Sequence, residues 1–285
     1  MRPYDVGRWL LLATLWSLQF IFLRLAVPVF GAAPVAEVRA LLGALFLVPW
    51  VVYFARQRIG PLEHWKDYLA LSLVNNVLPF VCYAWAATAL PAGYLAIING
   101  LVPLSAAVIG APVLGERLSG ARITGFVLGI AGVALIVNLG PVELNARTLA
   151  ATAAAVAGAM LWGWAGVMIK QRTGRLPAMG AAAGTIGFAA VLMAPLWTLA
   201  PPPSSWTFEA GAALLALGLL CSGLAYLPFF SLIRDIGPAR TLTVGLAVPV
   251  LGVLWGWLIL GEAVTLTMLA GAALVLVALA LVLRS

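Results

Sequence analysis

The chain has 285 residues, 64% of them hydrophobic and only 9% charged, with a mean hydropathy of +1.10 and a net charge of +7. A water-soluble domain has about 45–50% apolar and about 25% charged residues, so the soluble classes are excluded. The basic residues form no run or patch, which removes a nucleic-acid surface; they recur in short clusters between apolar stretches.

A helix crossing the ~30 Å hydrocarbon core needs about 20 apolar residues. The sequence predicts ten such helices, at 8–28, 34–55, 67–89, 91–114, 119–139, 147–169, 177–199, 208–233, 238–260 and 264–284. The first carries Trp16, Ser17 and Gln19, and ends near Arg24. Its counterpart around Leu161–Gln171 argues against a cleaved leader. The second holds Glu37 and Arg39, expected within about 1.5 turns of its outer end. In the third, Asn76, Phe80 and Tyr83 fall at helical spacing, beside Asn75 and Pro79. The fourth contains Asn99 and Pro103 and ends at Gly115-Glu116; the fifth follows Ser119. The polar stretch Gly140–Arg147 is the expected joint between halves. The sixth helix carries Trp162, Trp164 and Lys170, and the eighth Ser222 and Tyr226. The ninth contains Pro249 and ends at Gly261-Glu262, and the tenth follows Thr265. Cys82 and Cys221 lie inside apolar stretches and are expected as small core residues.

The chain matches itself at an offset of 146 residues: Trp16 with Trp162, Arg24 with Lys170, Pro49 with Pro195, Pro103 with Pro249, and Gly115-Glu116 with Gly261-Glu262. Residues 1–140 and 141–285 therefore form two repeats of five helices each. An odd helix count makes the second copy enter the bilayer inverted, the architecture of many transporters. The fold class is all-α integral membrane, with ten transmembrane helices as 5+5 inverted repeats. Charge sets the orientation. With both termini cytoplasmic, every basic residue but Arg24, Arg39 and Arg147 falls on the inner side, as the positive-inside rule requires of a bacterial-type inner membrane.

These residues resemble the drug/metabolite transporter superfamily, and in particular its EamA-type ten-helix exporters. The most specific feature occurs twice: a helix proline, Gly-Glu beyond it, then a Ser/Thr-started helix. It reads Pro103…Gly115-Glu116…Ser119 and Pro249…Gly261-Glu262…Thr265. Gly237-Pro238-Ala239-Arg240 and Trp16-x-x-x-Phe20 also resemble the family, and the density of Trp and Tyr is most similar to YddG-type aromatic amino-acid exporters. The resemblance implies export of small metabolites, aromatic amino acids among them. The chain departs from relatives that carry an acid before the helix-4 and helix-9 prolines, having Val102 and Val248, and its first helix lacks an acid. Proton antiport through a buried carboxylate is therefore not expected, and a facilitator is.

No ionisable residue falls at the predicted centre of any helix, so the expected substrate site is neutral, made of amides, phenols and indoles: Gln19, Asn75, Asn76, Tyr83, Asn99, Trp162, Trp164 and Tyr226. Most of these polar groups do not survive the 146-residue shift, whereas the prolines and corners do. Pro79, Pro103 and Pro249 are the expected hinges. Gly115, Glu116, Gly261 and Glu262 are expected as structural corners, the carboxylate and the following Ser/Thr cap together satisfying free N–H groups of the next helix. Trp9, Tyr53, Trp65, Trp206 and Tyr94 are expected as interfacial anchors. The alternatives are a proton-coupled multidrug exporter of the same superfamily and, remotely, a membrane-embedded enzyme, for which the paired acids or His clusters are missing. No metal ligand set or cofactor motif is present, and the expected partners are a small-molecule substrate and the lipid bilayer, with no nucleic acid and with the oligomeric state open, a monomer being compatible.

Overall fold

The computed structural model describes residues 2–57, 59, 64–115, 118–139, 142–172, 177–199 and 206–284. Among them, nine helices are long and apolar enough to cross a membrane. They are α1 Pro3–Phe30, α2 Ala32–Phe54, α3 Trp65–Ala86, α4 Ala92–Val113, α5 Gly120–Val137, α6 Ala146–Gln171, α7 Met179–Thr198, α8 Phe208–Ile236 and α9 Arg240–Leu260. The shorter apolar helix Leu266–Val282 is α10. Hydrocarbon offers no partner to backbone polar groups, and the helix is the form that satisfies most of them within one segment.

The packing carries the inverted repeat. Helix α1 lies on α9 and α8, α2 on α8 and α7, α3 on α6 and α7, α4 on α9 and α6, and α5 on α10. Exchanging each helix with the one five places along the chain returns the same pairs. The protein is therefore two inverted five-helix repeats locked face to face, and each first-repeat helix owes its burial to the second repeat. Contacts at this seam are made by small residues, since helices in lipid associate by close packing rather than by hydrophobic transfer. Gly252 lies against Ala96 of α4, and Gly132 lies against the backbone of Gly271 where α5 meets α10.

Helix α4 is broken. Its first segment runs from Ala92 to Asn99 and its second from Leu101 to Val113. Pro103 explains the position, because a proline removes the hydrogen bond to the residue four back, here Asn99. The two segments also have different neighbours: the first packs on α9, the second on α6. The corners close with a positive φ at Gly115 (+70°) and Gly261 (+65°), a conformation that suits glycine. Glu116 lies outside the described residues, as does Gly140 of the joint.

Several expectations are corrected. Glu262 does not serve the next helix; Thr265 Oγ1 does, accepting the Met268 amide at 3.2 Å. The Glu262 carboxylate crosses to the other repeat, where it accepts the amides of Ala92 (2.7 Å) and Gly93 (3.0 Å) at the start of α4. Tyr94 is not an interfacial anchor, being fully buried at the same corner. Tyr53, Trp65 and Trp206 are exposed at helix ends, as anchors require. Both cysteines are free, and Cys221 is buried with its thiol on the Leu15 carbonyl.

Candidate functional site

The centre of the bundle is organised by a pair of π turns. Pro79 has no N–H to give the Asn75 carbonyl, and the backbone around it, Leu73–Val77, widens into a π turn. The orphaned carbonyl is claimed from another helix: Trp162 Nε1 on α6 donates to Asn75 O at 2.9 Å. The 146-residue shift carries this segment onto α8, where Leu217–Leu224 is again π-helical. The two turns place Asn75 and Asn76 at the middle of α3, and Ser222 at the middle of α8. Thus the polar pairs differ between repeats but the backbone device that presents them is repeated.

On the same face of α3 as Asn76 lies an aromatic cluster. The Tyr83 ring is fully buried, stacked on Trp162 with centroids 4.8 Å apart and tilted against Phe20 at 5.7 Å. Gly158 makes room for it, since a Cβ there would come within 2.9 Å of the ring. The Tyr83 hydroxyl and both amide atoms of Asn76 are buried without a hydrogen-bond partner. Asn99, at the break of α4, has its side chain beside the Tyr83 hydroxyl. Unmatched polar atoms in hydrocarbon cost about 1–3 kcal/mol each.

The second pole of the centre holds a charge that the helix count concealed. Arg39 is 4% exposed, and its guanidinium crosses between repeats. Nε donates to Ser222 Oγ at 2.7 Å and Nη2 donates to Gln19 Oε1 at 2.8 Å. Its flat face lies over Phe80, 3.9 Å from the ring centroid. A charge thus lies at mid-depth, where no ionisable group was expected, and Arg39 leaves the set of extramembrane basic residues. The physical reason is reach: the backbone of Arg39 is two turns into α2, and a side chain of this length brings its head to the middle of α8. The hint in the sequence was that Arg39 has only apolar neighbours at helical spacing (Val35, Ala36, Leu42 and Gly43), so no carboxylate on its own helix could hold it.

Of the expected site residues, Gln19, Asn76 and Tyr83 come together in this core, with Trp162, Asn75 and Asn99 at its edge. Tyr226 is half-buried on α8, its hydroxyl beside the Asn75 side chain and its ring stacked on Phe230. Trp164 does not join them: two residues past Trp162 it faces the opposite side of α6 and is 45% exposed, towards lipid. Pro79 and Pro103 lie at backbone irregularities, whereas Pro249 sits inside a continuous helix, Val244–Leu260.

Contacts between the repeats flank this core towards both ends of the helices. Where the chain termini lie, Arg8 of α1 pairs with Asp235 of α8 at 2.8 Å, and Trp9 Nε1 donates to Thr243 Oγ1 at 3.0 Å. At the other end Glu262 holds the start of α4. Gln19, Arg39, Asn76, Tyr83 and Ser222 are each no more than 6% exposed.

The profile of the EamA-like transporter family matches residues 8–138 and again 149–284. The chain belongs to this family. Among the relatives of this EamA protein are two from Bacillus subtilis (strain 168). The uncharacterized transporter YvbV is 26% identical over 274 residues, covering 95% of this chain and 88% of YvbV. The uncharacterized transporter YoaV is 23% identical over 266 residues, covering 92% and 90%. An uncharacterized transporter of Archaeoglobus fulgidus is 23% identical over 289 residues, covering 97% and 99%. A crystal structure shares the fold with a TM-score of 0.68 at 22% identity, covering 99% of this chain and 96% of that one. Family and relatives agree on transport across a membrane, and their names specify no substrate.

The indole bond to Asn75 yields a direct test. Trp162→Phe keeps a ring against Tyr83 but leaves the Asn75 carbonyl without a donor, which should cost about 1–3 kcal/mol. Thermal unfolding in detergent reads the loss. In a Pro79→Ala background the same substitution should cost less, because an alanine in place of the proline returns an N–H to that carbonyl. Equal losses in both backgrounds would show that the bond matters little.

Proposed function

We propose that this EamA-family transporter exports small aromatic metabolites, aromatic amino acids foremost, by alternating access through the Tyr83–Trp162–Phe20 cluster. The observation that carries the reading is the buried phenol–indole stack at mid-depth, edged by the unpartnered amide of Asn76. Aromatic rings stack with about 0.5–1.5 kcal/mol beyond the area they bury, enough to favour an aromatic over an aliphatic solute. Asn99 and Asn75 border the same space. The break of α4 at Gly100 is the natural hinge, because its two segments are held by different partners and relative motion concentrates there. Charge distribution supports an inner-membrane placement with both termini cytoplasmic and the two repeats divided near residue 140. The chain works as one unit of ten helices.

In proteoliposomes, Tyr83→Ala should raise KM for labelled tryptophan or phenylalanine by about 10-fold and leave efflux of aliphatic solutes unchanged. Equal losses for both classes would remove the ring from recognition. With no acid in the Tyr83–Trp162–Phe20 cluster, downhill efflux should persist after the proton gradient is collapsed; flux that stops there would instead indicate proton coupling, with buried Glu37 of α2 the carboxylate to test.

A further inference from the structure

We infer that Arg39 is the carboxylate-binding residue of this site, so that a transported solute must carry a carboxylate; the inference rests on the central cluster being the substrate site.

A guanidinium inside a membrane protein is costly and rare, and its usual justification is function. Arg39 has five N–H donors. One, on Nε, goes to Ser222, and one, on Nη2, goes to Gln19. Nη1 is buried with no partner. Neither Ser222 nor Gln19 brings charge, and Phe80 offers only its ring face. Among the described residues no carboxylate lies within ion-pair distance of the guanidinium, so its charge is unmatched. Both N–H groups of Nη1 and one of Nη2 remain, and that pair of nitrogens is the fork that takes a carboxylate through two parallel hydrogen bonds.

The charge count selects the ligand. Arg39 is the single buried basic residue among the described ones. One positive charge neutralises one carboxylate, whereas a phosphate dianion would leave a net negative charge in hydrocarbon. A simple organic cation would be repelled by it. Phe80 links the fork to the aromatic cluster, since it shares a face of α3 with Asn76 and Tyr83. A solute with a carboxylate on Arg39 and a ring by Tyr83 therefore spans the site, and Asn76, one turn from Phe80 on the same face, offers its amide oxygen to an ammonium group.

The test compares three molecules with one ring: tryptophan, its decarboxylated amine tryptamine, and the deaminated acid indole-3-propionate. A matching aliphatic set is leucine, isoamylamine and 4-methylpentanoate. Binding to the purified full-length protein is measured by calorimetry and by competition in proteoliposomes. Tryptophan and indole-3-propionate should bind about 10–100-fold more tightly than tryptamine. Arg39→Gln should abolish that difference by weakening only the two acids, and Arg39→Lys should restore part of it. An Arg39 that merely braces the repeats would, when replaced, weaken acids and amine alike.

Tryptamine binding as well as tryptophan to the wild type would overturn the inference, and that comparison needs no variant to fold. If the aliphatic acids bind through Arg39 and the indoles do not, the aromatic reading fails while the carboxylate inference stands. If no acid of either set binds better than its amine, the inference fails.

Discussion

Replacing Glu262 with alanine should lower the apparent Tm of the detergent-solubilised protein by about 6–12 °C, one of the largest losses a single surface-to-core corner can produce. Its two oxygens accept the first two amides of α4, Ala92 at 2.7 Å and Gly93 at 3.0 Å, and both residues are buried. These amides have no partner within their own helix, and Pro91 before them brings no side-chain acceptor. Removing the carboxylate leaves two donors unmatched at about 1–3 kcal/mol each and loses a negative charge at a helix N-terminus. Glu262→Gln should recover less than half of the loss, since its amide oxygen serves one N–H while its NH2 opposes the other. A Tm for Glu262→Ala within 2 °C or so of wild type would mean that water satisfies the corner as well as the carboxylate does.

Much of this architecture was legible because membranes restrict the answers. Apolar stretches of spanning length predict ten helices with no need of packing information, and the 146-residue offset predicts inversion once each half holds five. Pro103 marked the break in α4 by removing one hydrogen bond four residues back. What sequence could not show was which helix receives a side chain. Glu262 and Thr265 both read as caps for the helix that follows, yet Thr265 alone takes that role and the carboxylate crosses the seam. Trp164 and Trp162 read alike, although residues two apart on a helix point in opposite directions. Arg39 was misplaced because depth was reckoned at the backbone, whereas the charge sits at the end of a long side chain among helices distant in sequence.

Gly252→Leu should leave little folded protein: a sharp fall in the monodisperse fraction by fluorescence-detected size exclusion, with any survivor strongly destabilised. A Cβ at Gly252 would lie 2.2 Å from the Ala96 Cβ and 3.7 Å from its Cα, so it meets a short side chain with backbone behind it. No rotamer change relieves such a clash. The helices must separate by about 1.5 Å or more to regain van der Waals distance. Overpacking of this kind ordinarily costs about 1–3 kcal/mol, and here the displacement spreads. One turn further along α9, Gly256 faces the Glu262 carboxylate with no room to spare: a Cβ there would stand 2.6 Å from Oε2. Moving α9 off Ala96 therefore also pulls the carboxylate away from the start of α4. Since both substitutions break the same corner, Gly252→Leu and Glu262→Ala should be markedly less than additive, and Gly252→Ala should fall between wild type and leucine. A Gly252→Leu protein that purifies and melts like wild type would mean that α4 and α9 can separate freely. The first segment of α4 would then not be fixed to the second repeat, and the hinge assigned to Gly100 would lose its anchor.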